Sequence, residues 1–273
     1  SIAAYEKATA PGPSSVTRMR LSNVYREIGS RTSSEQSVLN SISIGEETLA
    51  DLESTNSMYS AMALRNLGIA KTQLGVVRSE AEPIMQALSH YEEALNIFAL
   101  DTRPLEWART QTAKGQAAMS LCFVVKLNDY CGVATQAFQS VLDSQASIGH
   151  AELQASVQLL FGISVIFSQP IESVSDIELQ HAKELVIDSG RHFSLEEYPT
   201  QWIMLQVSIA ELAWVEASRG PPVYEDVQQS LEALIVAKET AELLNLSDLL
   251  SAVNTETGRM VFLLWIEQQS KTD

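Results

Sequence analysis

Four histidines, two cysteines and several carboxylate pairs are the residues of this chain suited by type to catalysis or metal binding. His90 stands directly before Tyr91, Glu92 and Glu93, within a segment patterned for helix packing. His150 is followed by Ala-Glu-Leu-Gln, without the second histidine that a helical zinc site places four residues on. His181 and His192 lie near Glu184 and Glu196 but without a cysteine cluster or tight ligand spacing, so they read as surface or capping histidines. The pairs Glu46-Glu47, Glu92-Glu93 and Glu196-Glu197 are neighbours in sequence. Adjacent helical residues point in different directions, whereas acid/base chemistry needs groups that converge. Neither a Gly-Lys-Ser/Thr phosphate loop nor a Gly-x-Ser-x-Gly elbow is present. The expectation is a chain with no catalytic residue, no cofactor and no metal. Cys122 and Cys131 are too few for a disulfide framework and suit a reducing cytoplasm, with Cys122 packing as a small apolar residue and a redox pair as the alternative.

The arginines carry a clearer signal. The formal net charge is −16, yet residues 1–130 hold 12 Lys/Arg against 14 Asp/Glu, while residues 131–273 hold 6 against 20. Nucleic-acid binding needs many cationic contacts to phosphate, and an anionic membrane surface needs the same, so both are disfavoured. Arg20, Arg26, Arg65 and Arg109 recur in the less acidic part. A guanidinium fork matches a carboxylate, so an acidic segment or a peptide C-terminus is the natural ligand of such a ladder. The competing reading pairs these arginines with Glu27, Glu92, Glu93 or Glu106 on solvated faces.

The elements that must position these residues repeat. Small residues at Ser22, Gly68, Gly115, Gly162, Ala210 and Gly258 follow one another at intervals of 46, 47, 47, 48 and 48. A fixed period of this size marks stacked helical units. Leu21-Ser-Asn-Val-Tyr-Arg-Glu-Ile-Gly29 aligns with Leu67-Gly-Ile-Ala-Lys-Thr-Gln-Leu-Gly75, the small residue allowing close helix approach and the final Gly suiting a left-handed helix end. Pro104-Leu-Glu-Trp107 matches Pro199-Thr-Gln-Trp202 two periods later, each Pro opening a helix. Pro11 and Pro13, like Pro104 and Pro199, fall between helix pairs; Pro83, Pro170, Pro221 and Pro222 fall between the two helices of a pair. No stretch reaches the roughly 18 apolar residues of a membrane span, and Val157 to Phe167 reads as a buried first helix.

Ala87, Tyr91 and Ala94, together with Ser1, Tyr5, Ala8 and Pro13, follow an Ala-x-x-x-aromatic-x-x-Ala pattern. With the Leu-Gly on the preceding helix, the chain resembles the tetratricopeptide repeat family, at a longer period than that family's roughly 34 residues. The resemblance implies an all-α, right-handed solenoid of antiparallel helix pairs. It implies a half repeat at 1–13, units near 14–55, 56–102, 103–146, 147–192 and 193–245, and a terminal helix at 246–269. The whole would be one helical-repeat domain, read as a fragment of a larger protein. The first helices of such pairs line a concave groove, which carries over onto Met19, Asn23, Arg26, Arg65, Ile69, Thr72, Arg109, Thr112, Gln116 and Met119. Leu159, Ile163 and Ile166 make the corresponding positions of the fourth unit apolar, and Val207 and Glu211 continue the register in the fifth.

The function expected from this resemblance is a non-enzymatic scaffold binding a protein or peptide, acidic in character, in the cytoplasm. One alternative is a ligand- or peptide-sensing regulatory domain of a signalling or protease-associated protein, recognisable by a deep apolar cavity near Ile163 and Ile166. Another is an all-α enzyme with an unfamiliar site. Val261, Leu263, Leu264 and Trp265 add a face through which the terminal helix could cap the stack or self-associate.

Overall fold

The computed structural model describes residues 15–32, 34–52, 58–167 and 173–270. The expected half repeat at 1–13, with Tyr5 and Ala8, lies outside the described residues, as do Pro11, Pro13 and Pro170. Among the described residues every regular element is helical and there is no strand. Two compact units divide the chain at residues 148 and 149.

The first unit contains α1 (Ser15–Thr32), α2 (Glu35–Leu52), α3 (Met58–Arg78), α4 (Ala81–Ile97), α5 (Pro104–Phe123) and α6 (Asp129–Ser144). Consecutive helices pack on one another, and α3 also touches both α1 and α5. Within the α3–α4 pair, Gly75 faces Ile84, Gly68 faces Tyr91, and Leu64 shares a cluster with Ala94 and Phe98. Numbers that fall along one helix rise along the other, so the pair is antiparallel. Two of the marker residues, Gly68 and Gly115, are points of close approach. A Cβ on Gly68 would sit 2.6 Å from the Tyr91 ring, and one on Gly115 2.5 Å from Phe138. Both aromatic rings are buried, each contributing about 1.5–3 kcal/mol of transfer free energy. Ser22, at the first marker, instead spends its hydroxyl on the Ser41 carbonyl at 2.9 Å.

The second unit contains α7 (Ala151–Phe167), α8 (Asp176–Ser189), α9 (Pro199–Arg219), α10 (Tyr224–Leu243) and α11 (Ser247–Ser270). Here α9 packs against all four of the others. Ser175 starts α8 through a reciprocal capping box with Glu178, and these bonds hold the Glu178 carboxyl below its usual range. Ile203, Ala210, Leu234, Val253 and Met260 form the α9–α10–α11 core. At the fourth marker, Gly162 lies against Val186 and the Ala182 carbonyl. The sixth marker departs from the pattern, because nothing lies within 4 Å of a Cβ placed on Gly258.

Two local arrangements each occur twice. Pro104 and Pro199 both occupy the first helical position, behind N-caps with nearly the same backbone: Arg103 at φ −143, ψ 60 and Tyr198 at φ −132, ψ 57. Arg78, in the last turn of α3, bonds Glu35 in the first turn of α2 at 2.5 and 3.0 Å. Arg219, in the last turn of α9, bonds Asp176 in the first turn of α8 at 2.8 Å. Both partners of the second clamp lie 141 residues, three periods of 47, beyond those of the first.

Three expectations need correction. Gly29 and Gly75 lie inside α1 and α3, buried against Val38 and Ile84, and the left-handed residue after α3 is Ser79, φ 55. Their lack of a side chain serves helix contact instead of a helix end. Pro83 lies within the first turn of α4, where its missing N–H has no intrahelical acceptor to lose. Cys122 is no free apolar thiol: it forms a disulfide with Cys131, closing the α5–α6 turn across a sequence separation of 9. None of the described helices is long and apolar enough to cross a membrane.

Candidate binding groove

The sequence places its candidate groove on α1, α3 and α5, the three helices that lie side by side in the first unit. The ten residues divide three ways. Met19 and Thr112 are buried, and Thr112 gives its hydroxyl to the Ala108 carbonyl at 2.8 Å. They pack the helices together and offer no surface to a ligand. Ile69 is half-buried against the Ile84–Tyr91–Leu121 cluster, and its ring of apolar neighbours explains why it is not free either. Asn23, Arg26, Thr72 and Met119 are half-buried, and Gln116 is exposed.

Arg65 and Arg109 converge, but on a residue of the protein. Glu106, in the first turn of α5, accepts from Arg65 through one oxygen and from Arg109 through the other at 3.1 Å. Arg65 also lies over the Phe98 ring, 5.6 Å from its centroid. Burial pushes the Glu106 carboxyl up, while the hydrogen bond and charge of Arg65, joined by Arg109, outweigh it and hold the group below its usual range. The competing pairing with Glu106 thus accounts for two of the four arginines in the ladder.

Arg26 is different. Its nearest carboxylate is that of the adjoining Glu27, 3.9 Å away, and its Nε is buried without a hydrogen-bond partner. Tyr91 reaches from α4 past Gly68, its hydroxyl 3.4 Å from that of Thr72. Burial drives the Tyr91 phenol well above its ordinary range, opposed by the Thr72 hydrogen bond and by the charges of Arg26 and Arg65. Arg26, Thr72 and the Tyr91 hydroxyl therefore share one neighbourhood, built from α1, α3 and α4. Arg20 is exposed on α1. A guanidinium and two hydroxyls supply the donors that a carboxylate takes.

The second unit holds features that sequence spacing did not bring forward. Leu159 and Ile166 are buried and Ile163 half-buried, so these apolar side chains of the fourth unit pack as core. A cavity of about 420 Å³ instead opens between α8 and α10 with α9 as its floor. On the opposite side of α9, Glu211 and Glu256 are both buried and share Arg259, which reaches them at 2.9 and 2.8 Å while lying 5.3 Å from the Trp214 ring centroid. Glu256 is pushed up to about 8, first by burial and then by the Glu211 charge and hydrogen bond, against the pull of Arg259. Glu211 and Arg259 occupy the same place in the period, one residue after Ala210 and Gly258. That was the available signal for the pair.

The histidines do not assemble. His90 is half-buried with both ring nitrogens unpartnered, its pKa lowered by burial and then by Lys71. His181 lies against Phe161, and His192 against Phe193 and Tyr198. Among the described residues no group of three or more His, Cys, Asp or Glu is placed to hold a metal ion. No protein-family model matches the chain, and no curated protein matches it significantly.

Proposed function

We propose that this chain is a non-enzymatic, tetratricopeptide-like solenoid that binds an acidic peptide segment or a C-terminal carboxylate along α1, α3 and α5. The observation that carries the reading is Arg26, a half-buried cation met only by the side chain next to it, whose charge acts on the Tyr91 hydroxyl that lies 3.4 Å from that of Thr72. Desolvated charge without a full partner is unfavourable, and an incoming carboxylate supplies that partner with a charge-assisted bond. The repeat reading is supported by the recurring helix starts at Pro104 and Pro199 and by the two arginine clamps three periods apart. Asn23 and Gln116 offer amides to an extended main chain. Arg20 adds a solvent-facing cation at the edge.

The test uses the whole chain and fluorescein-labelled peptides rich in Glu, with the C-terminus free or amidated. Arg26→Glu is expected to weaken binding at least tenfold, about 1.4 kcal/mol, while Arg65→Gln, whose charge is already met by Glu106, changes it less. Equal affinities for wild type and Arg26→Glu would remove the proposed site. For the compartment, the expected cytoplasmic setting meets a bonded cysteine pair, and disulfides persist chiefly in oxidising surroundings. Titrating free thiols in protein taken directly from cells decides between them.

A further inference from the structure

We propose that the cavity between α8 and α10 is a second peptide site, of opposite preference, taking an aliphatic side chain flanked by lysine or arginine. The cavity measures about 420 Å³, near the lower end of the roughly 300–1,000 Å³ typical of ligand pockets. That suits one or two side chains better than a large cofactor. Its floor is apolar, made by Ile187 of α8, Ile209, Leu212 and Ala213 of α9, and Ala233 of α10.

The rim decides the charge. Lys183 is held by both carboxylate oxygens of Glu216, at 2.8 and 3.0 Å, so the two charges cancel and the rim's remaining charge comes from Asp226. Asp226 faces the cavity from the first turn of α10 and is exposed, which puts a carboxylate on the rim. Gln206 and Gln229 also line it and offer donors and acceptors suited to a peptide main chain. The surroundings reinforce the rim: residues 149–273 carry 6 Lys/Arg against 19 Asp/Glu. A field of that sign draws a cationic partner in and repels an anionic one. This site and the α1–α3–α5 groove therefore select opposite charges.

The experiment measures fluorescence anisotropy of labelled Gly-Lys-Lys-Leu-Lys-Lys-Gly amide with the full chain. Saturable binding is expected, weakened about tenfold or more by Asp226→Lys, by Ala233→Phe, which fills the cavity, and by replacing the peptide's Leu with Ser. Arg26→Glu, directed at the other groove, is expected to leave this affinity within twofold. Circular dichroism confirms that each variant is folded; should Ala233→Phe fail to fold, Asp226→Lys and the Ser peptide carry the test. No saturation up to about 1 mM, or equal binding of the Leu and Ser peptides, overturns the proposal. The first outcome would mean no site, and the second only diffuse attraction between opposite charges.

Discussion

Glu256 and Glu211 place two buried carboxyls on one guanidinium, and three such groups cannot all be charged and fully paired. Glu256, raised to about 8 in the folded chain, binds a proton that the unfolded chain releases near 4.5. The native state then holds more protons between these values, so stability falls as pH rises from about 4.5 to about 8. Glu106 works the other way: held low when folded, it contributes stability above its ordinary range that is lost as pH falls below it. Urea midpoints measured from pH 5 to pH 8 are expected to decline, and Glu256→Gln to flatten that decline and stabilise the chain at pH 8. The glycines give a second residue-level contrast. Gly68→Ala meets the Tyr91 ring and is expected to destabilise by about 1–3 kcal/mol. Gly258→Ala meets nothing and lies within α11, so it is expected to stabilise by about 0.5–1 kcal/mol. Thermal melts of the two variants check both signs.

At the scale of elements, the α5–α6 turn is the only described one closed covalently. In the chain-entropy account, a loop of that length constrains the unfolded state by about 2.5 kcal/mol. Reduction and alkylation are therefore expected to lower stability by roughly that amount, read from a denaturant melt with and without reductant. Helix starts were legible because they rest on local rules: proline at the first helical position, as at Pro104 and Pro199, needs no knowledge of the rest of the chain. Close-approach points were legible because Gly68, Gly115 and Gly162 recur at one period. The candidate site was less so. Register placed Arg65 and Arg26 on the same kind of helix, but whether a guanidinium is neutralised depends on a carboxylate 41 residues away in one case and on none beyond the adjoining residue in the other. Gly75 misled for a related reason, since a glycine near a helix end looks the same in sequence whether it turns the chain or admits Ile84. The cysteine bond and the α8–α10 cavity depend on packing that no spacing rule expresses.

For the whole molecule, charge sets the remaining behaviour. With a net charge of −16 and an isoelectric point near 4.6, self-repulsion opposes the compact state at neutral pH. Raising ionic strength from about 0.01 to 0.15 M shortens the screening length from roughly 30 to 8 Å. The melting temperature is therefore expected to rise with salt at pH 7, and solubility to be lowest near the isoelectric point; a scan of each against salt and pH tests them. Gly258 has one more use at this scale. The period supplies an address at which the backbone of α11 faces open space, with stacked Phe262 and Trp265 exposed further along the helix. A single cysteine introduced there would meet no steric resistance, so a maleimide dye attached to it becomes a reporter. Its labelling rate and emission would register anything that settles on this helix, before the visitor's chemistry is known.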